Sequence, residues 1–191
     1  FRYIFSHESH AEGTIFADGT QVTVPLKHTL LARLNMEDYY DLGRWFTLGY
    51  NFDLTVSTPL DLSDYTSTMI AMPAFQPTVH SKTLMLGAYR APIYAGLMVT
   101  PVFKFTKTFF LQLSGGYFQP YRSLVQLASG RYEYSAPFPK GGFVGNAALV
   151  WQSPIGPVSL SCAYYEKADK SKFYPSFNIG FLIFREHGLK N

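Results

Sequence analysis

From Trp45 to Val56 the chain reads WFTLGYNFDLTV, and its residues fall into two chemically different sets by parity. One set is Phe46, Leu48, Tyr50, Phe52, Leu54 and Val56; the other is Trp45, Thr47, Gly49, Asn51, Asp53 and Thr55. A period of two belongs to the β-strand, whose successive side chains point to opposite faces. The same test separates Phe173, Pro175, Phe177, Ile179, Phe181 and Ile183 from Tyr174, Ser176, Asn178, Gly180, Leu182 and Phe184. It separates Val158, Leu160, Cys162 and Tyr164 from Ser159, Ser161, Ala163 and Tyr165, and Leu97, Val99 and Phe103 from Gly96, Met98 and Thr100. Strands are predicted near 2–8, 27–36, 43–57, 93–105, 107–119, 141–151, 155–166 and 172–184, with 14–24 as a candidate ninth. No segment carries the 3.6 period of a long amphipathic helix.

The chain has 191 residues, and 16 basic against 13 acidic side chains give a net charge of +3. That surplus is too small to mark a nucleic-acid binder, and none is expected as a partner. Charged residues make up 15% and aromatic residues 17%, so the polar side of the protein is mostly uncharged. Such a composition excludes disorder. A membrane-spanning helix needs roughly 18 consecutive apolar residues. The run from Ile93 to Phe103 is broken by Thr100 and Pro101. Cys162 stands alone, which excludes an internal disulfide framework.

Alternation does not by itself say which face meets water. A soluble barrel hides an apolar interior, whereas a membrane barrel turns its apolar face outward. The less apolar face decides between them, because a solvent-facing surface would be rich in Lys, Arg, Asp and Glu. Here it is Ser, Thr, Asn, Gly and Tyr with scattered charges such as Arg33, Asp53 and Lys104, which suits an enclosed wet interior. A ten-residue strand at about 3.3 Å per residue and tilted by about 45° rises on the order of 23 Å, the height of the apolar band of an outer-membrane barrel. Tyr94, Phe105, Tyr117, Phe118, Trp151, Tyr164, Tyr165, Phe173, Tyr174 and Phe184 are expected as an aromatic girdle at the lipid headgroups. The connections alternate as well: 37–42, 106 and 152–154 are short, while on the other side 58–92 and 120–140 are long and 167–171 is a short exception. Short turns on the periplasmic side and long extracellular loops are the habit of membrane barrels. The fold class expected is therefore an all-β antiparallel transmembrane barrel, one domain over 1–191, in a bacterial outer membrane with its lipids as partners.

From Phe143 the chain continues FVGNAALVWQSPIGPVSLSCAYYEK. The turn Trp151-Gln152-Ser153-Pro154-Ile155-Gly156-Pro157 resembles the penultimate hairpin of the BamA-like outer-membrane assembly superfamily, also called the bacterial surface antigen domain. Phe177-Asn178-Ile179-Gly180, with Phe184 beyond it, is similar to that family's last-strand signal. The resemblance implies a sixteen-stranded barrel of which these residues form about the last eight strands. It implies an inward arginine in the long loop, for which Tyr89-Arg90-Ala91 is the candidate, with Ala91 where the family motif has glycine. The text from Asp64 through Pro73-Ala74-Phe75-Gln76-Pro77 to Leu84 is similar to barrels that follow a patatin-like phospholipase domain in Bacteroidetes-type bacteria.

The resemblance further implies an anchor or translocator barrel. Its partners would be the barrel-assembly machinery and a client polypeptide or the missing half-barrel, and the edge at 172–184 would be one side of a weak seam. Gly180, lacking a side chain, should weaken that edge. The segment itself is expected to be non-catalytic and free of cofactors. It has no Gly-x-Ser-x-Gly elbow, and Ser114-Gly115-Gly116 lies within a strand. His7 and His10 are three apart at a strand end, where a zinc-binding HExxH needs four on one helix face. The cluster Glu37, Asp38, Tyr39, Tyr40 and Asp41 is expected as an acidic turn. Two other readings stay open: a complete eight-stranded outer-membrane barrel with a structural or adhesion role, and a soluble lipid-binding β-barrel.

Overall fold

The computed structural model describes residues 2–10, 27–59, 62, 64–78, 81, 84–127, 131–154, 156–168 and 171–180, with side chains from residue 30 onward. Ten strands run in order: β1 (Arg2–His10), β2 (Lys27–Gly43), β3 (Phe46–Ser57), β4 (Ile93–Lys104), β5 (Phe109–Pro120), β6 (Leu124–Gln126), β7 (Tyr132–Tyr134), β8 (Gly142–Ser153), β9 (Gly156–Tyr165) and β10 (Phe173–Ile179). Eight of them form one antiparallel sheet in the order β1-β2-β3-β4-β5-β8-β9-β10, and β6 pairs with β7 in a separate small hairpin. Each strand of the large sheet lies beside its predecessor in the chain, the meander that short antiparallel connections favour. β1 and β10 are the edges of this sheet.

The eight expected strands are thus present, and the described chain is all-β apart from the short helix α1 (Tyr65–Ala71) and a 3-10 turn at Gly87–Tyr89. The candidate strand 14–24 lies outside the described residues. One expectation is corrected. Residues 37–42 are not a turn: β2 continues through them, pairing Glu37 with Asn51, Tyr39 with Gly49 and Asp41 with Thr47. The chain reverses instead at Arg44 and Trp45, after Gly43 with φ of 152°. Alternation persists across the charged run, so composition misleads there while periodicity does not.

Parity settles the two faces. Along β3, Thr47, Asp53, Thr55 and Ser57 are buried, while Leu54 and Val56 are exposed. Along β4, Tyr94, Met98 and Thr100 are buried, with Leu97 47% and Val99 39% exposed. Leu160 on β9 and Phe177 on β10 are 59% and 62% exposed, opposite buried Ser161. The sheet curls around its polar side far enough that β2, β3, β4, β5, β8, β9 and β10 all line one cavity. Its other side carries an extended apolar surface, far beyond the scattered single residues normal on a soluble monomer.

Two connection ends result. Arg44 with Trp45, 105–108 and Pro154 lie at the tight-turn end, and the described residues of the long links 58–92 and 121–141 and of the short link 166–172 lie at the other. At the first end, Ser153 and Gly156 form the last rung of their hairpin, and Gly156 has φ of 140°, a left-handed conformation for which glycine is suited.

Register can be read chemically. Ser161 and Ser176 face each other across β9 and β10 with hydroxyl oxygens 2.9 Å apart. In a Cys162→Ser background, cysteines at 161 and 176 should crosslink under mild oxidation, and cysteines at 161 and 177 should not. Crosslinking of the second pair in place of the first would mean a register slipped by one residue.

Candidate functional site: a polar cavity capped by an inserted loop

The cavity on the inner face has a volume of about 590 Å³. Its walls are mainly amides and hydroxyls, among them Asn35 on β2, Asn51 on β3, Thr100 on β4, Gln112 and Ser114 on β5, and Asn146 on β8. Asn146 Oδ1 is buried there with no protein partner, an acceptor that solvent or a solute in the cavity must satisfy. Among the described residues no group of three or more His, Cys, Asp or Glu side chains is gathered to hold a metal ion.

One charged network stands on this wall. The Arg33 guanidinium forks onto Asp53, with Nε donating to Oδ1 at 3.0 Å and Nη2 pairing with Oδ2. Thr55 Oγ1 donates to Asp53 Oδ1 at 3.2 Å, and the Tyr94 hydroxyl lies 3.2 Å from Oδ2. Asp53 is 2% exposed, so the carboxylate exchanges water for four polar contacts, which is what a buried charge requires. Arg33 and Asp53 sit on inward positions of neighbouring strands, Asp53 two residues along from Thr55, the direct partner of Arg33, so the sheet geometry brings them together diagonally.

Within the link 58–92, Phe75, Gln76, Pro77 and Thr78 fold back over the cavity mouth. Asp64 caps α1, its carboxylate accepting from the backbone N–H of Thr66 and Ser67, and the bonds from Ser67 hold its pKa below the usual carboxylate value. Arg90 Nη1 donates to the carbonyls of Ile70 and Met72 at 2.8 and 2.9 Å, satisfying acceptors at the end of α1. Beside it, residues 73–75 and 89–91 pair through Phe75 N–H to Tyr89 O and Ala91 N–H to Pro73 O. This places Phe75, 2% exposed, between the rings of Phe118 and Tyr94 at 5.7 and 6.1 Å. A Cβ on Gly96 would collide with the Phe75 ring, so glycine in β4 makes the seat into which the ring drops.

Three tyrosines bolt the loop to the sheet. The Tyr94 hydroxyl also lies 3.0 Å from the Ala74 carbonyl, Tyr165 shares a 2.6 Å hydrogen bond with Thr78, and Tyr89 donates to the Phe143 carbonyl at 2.6 Å. Burial pushes the Tyr89 hydroxyl up to about 12. Across the rim, Glu166 accepts from the Phe143 N–H and from Lys140, which hold its carboxyl below the ordinary value. Tyr132 of the β6–β7 hairpin donates to the Leu62 carbonyl and ties the two long links together.

The residues singled out from the sequence lie in three places. Tyr89 and Ala91 are buried in the loop-to-sheet cluster, while Arg90 between them serves the loop's own carbonyls and not Asp53, whose partner is Arg33. Trp151 and Pro154 are exposed at the tight-turn end, Ser153 Oγ donates to the Gly156 carbonyl at 2.6 Å, and Ile155 lies outside the described residues. Phe177 and Ile179 face outward on the edge strand, Asn178 faces the cavity, and Gly180 N–H donates to the Pro157 carbonyl at 2.8 Å. Phe184 lies outside the described residues.

The expected girdle is corrected at four positions, one of them Tyr174, which shares the inward parity of Asn178 and packs on Tyr165 with rings 5.7 Å apart. Tyr94, Phe118 and Tyr165 are fully buried under the loop, because they share inward parity with Met98, Ser114 and Ser161. Phe105, Trp151 and Phe173 do face outward. Sequence reasoning missed Phe75; the signal available was its place between Pro73 and Pro77, which stiffen a loop that needs a fixed shape. Comparison with family models, with curated proteins and with solved structures finds no match for this chain.

Two outcomes are expected. Phe75→Ala should cost about 3–5 kcal/mol of stability, the usual penalty for emptying a buried aromatic site, measurable by denaturant unfolding in detergent. The Tyr89 contribution should be complete below pH 10 and lost as pH rises towards about 12, since its folded pKa is raised above that of the unfolded chain. Tyr89→Phe should make the alkaline limb of the melting profile shallower; an unchanged limb would mean that this hydroxyl does not govern it.

Proposed function

We propose that this chain is β-barrel wall of a bacterial outer-membrane protein, with lipid on its apolar outer face and water and its own loop on the inner one. The observation that carries the reading is the inverted sheet: Leu97, Leu160 and Phe177 stand exposed while Asp53, Thr55 and Ser161 are buried around a cavity. A soluble lipid carrier would need the opposite, with its apolar face around the cavity. Among the described residues the outward face has no partner, and hydrocarbon covers it without unpaired backbone groups wherever the ladder is continuous, leaving only the edges β1 and β10 to be paired by closure or by added strands.

The finer reading is an anchor or translocator barrel resembling BamA-like assembly proteins or the barrels of patatin-like phospholipases, with the chemistry carried elsewhere in the parent molecule. Its support is the Trp151-to-Pro157 turn sequence, placed at a tight hairpin with Gly156 left-handed, together with the edge position of β10. In that reading β10 is where a client polypeptide, the missing half-barrel or the barrel-assembly machinery would add strands. One observation favours a complete eight-stranded barrel with a structural or adhesion role as the second reading: Arg33 on β2 and Asn178 on β10 line the same cavity, so the curl of the sheet is deep.

Vesicle flotation tests the main reading. Leu97→Arg places a charge on the outward face and should lower the floated fraction strongly, since a cation at mid-bilayer costs about 2–4 kcal/mol in such barrels. Met98→Gln, one residue along but facing inward, should float as the parent does. Equal behaviour of the two variants, or partition of the parent chain into buffer without detergent, would contradict membrane insertion. A compact band for residues 1–191 alone on unheated gels would select the eight-stranded reading over the half-barrel.

A further inference from the structure

At the tight-turn end, the β2–β3 and β4–β5 turns lie side by side, joined by a hydrogen bond from Lys104 N–H to the Trp45 carbonyl at 2.8 Å. Between them is an open cleft of about 810 Å³ lined by Arg44, Trp45, Lys104, Phe105, Lys107 and Phe110, with Thr106 at its rim. Three cations and three aromatic rings line it, and no carboxylate does. Asp41 pairs with Lys104 at 2.5 Å from outside the cleft. Among the described residues neither Arg44 nor Lys107 has a carboxylate partner. The Arg44 guanidinium lies 5.0 Å from the centroid of the Trp45 ring, and both groups line the cleft. Trp45 and Phe105 are each at least half exposed.

We propose that this cleft binds the headgroup phosphate of an anionic phospholipid, with Arg44 and Lys107 on the phosphate and an acyl chain leaving along Phe105, which keeps the outward parity of Val99 and Phe103. The inference rests on the membrane reading above and adds to it a specific lipid class and a specific site. Charge complementarity argues for the occupant. Two uncommitted cations within one cleft match a phosphodiester that carries one charge and offers several acceptor oxygens, and a zwitterionic headgroup would set its own ammonium against them. The rings argue for a lipid over free phosphate. Exposed aromatic surface beside the cations gains nothing from a small hydrated anion, whereas an acyl chain or the bilayer boundary covers it. The cleft opens at the turn end of β4 and β5, where Phe105 continues the outward face of Phe46 and Phe103, whose rings are 5.3 Å apart, while Lys104 and Phe110 stand on the inward face.

The chain holds two tryptophans, so Trp151→Phe leaves Trp45 as the sole reporter. The full chain with this change would be reconstituted into phosphatidylcholine vesicles doped with acyl-brominated phosphatidylglycerol or, separately, acyl-brominated phosphatidylcholine. Half-quenching of Trp45 should need roughly tenfold less of the brominated phosphatidylglycerol, from the favourable electrostatics of two juxtamembrane cations. The Arg44→Gln, Lys107→Gln variant, which leaves the Lys104–Asp41 pair in place, should bring the two lipids to equal potency. Equal quenching by both lipids in the parent, or a preference that survives the double substitution, would overturn the headgroup site and leave the membrane reading standing. Competition by inorganic phosphate beyond a chloride control of the same ionic strength would overturn the lipid in favour of a free anion. Absence of quenching by either lipid would bring down the membrane reading itself.

Discussion

Strand parity is the constraint on which the rest of this molecule depends. Strands β3, β4, β9 and β10 give one face mostly to hydroxyls, amides, small residues and tyrosines and the other mostly to leucine, valine and phenylalanine, and curling selects the polar set for the inside. A protein folding in water gains by hiding its apolar face, at roughly 25 cal/mol for each Å² removed from solvent. This sheet leaves that gain unrealised along Leu54, Leu97, Leu149, Leu160 and Phe177. On the proposed reading the bilayer completes the burial, and the antiparallel ladder satisfies the backbone everywhere but at the edges β1 and β10, which closure or added strands must pair.

The inserted loop depends on the same parity. Near the long-loop end the inward positions are Tyr94, Phe118, Val144 and Tyr165, which give that mouth a greasy lining in place of the amides deeper down. Phe75 and Tyr89 complete this cluster, and the tyrosine hydroxyls reach past it to the loop's own polar groups. The cavity is therefore dry and aromatic at its capped mouth and polar along its walls. The Arg33–Asp53 pair lies at the boundary between the two zones, joined to the loop through Tyr94, which touches both Asp53 and Ala74. A rearrangement of the loop would thus be felt by the ion pair through a single phenol.

Much of the fold is legible in the sequence because period two is a local property that survives any tertiary arrangement. Eight strands and, on the most regular of them, the order of faces can be read from it. Where composition is allowed to overrule period, the reading fails. Residues 37–42 look like a turn because they are charged, yet Glu37 and Tyr39 keep the inward parity of Arg33 and Asn35, and the strand runs on to Gly43. Tyr94, Phe118 and Tyr165 look like interfacial aromatics because they sit at strand ends, although their parity already points them inward. The insertion of Phe75 is of a different kind. No periodicity marks it, and it depends on the bare backbone at Gly96, a contact between residues in separate elements that a linear pattern does not carry. The role of Arg90 is equally non-local, since the carbonyls it satisfies belong to a short helix that period alone does not disclose.

The most direct test of the central claim is site-directed spin labelling of the reconstituted chain along β4 and β9, reading collision with oxygen, which dissolves in hydrocarbon, against collision with a water-soluble nickel chelate. Labels at 97, 99, 158 and 160 should be oxygen-accessible and shielded from the chelate, and labels at 98, 100, 159 and 161 should show the reverse, giving a two-residue oscillation in both reagents. An oscillation of opposite phase, or uniform access of the chelate to both sets, would contradict the account.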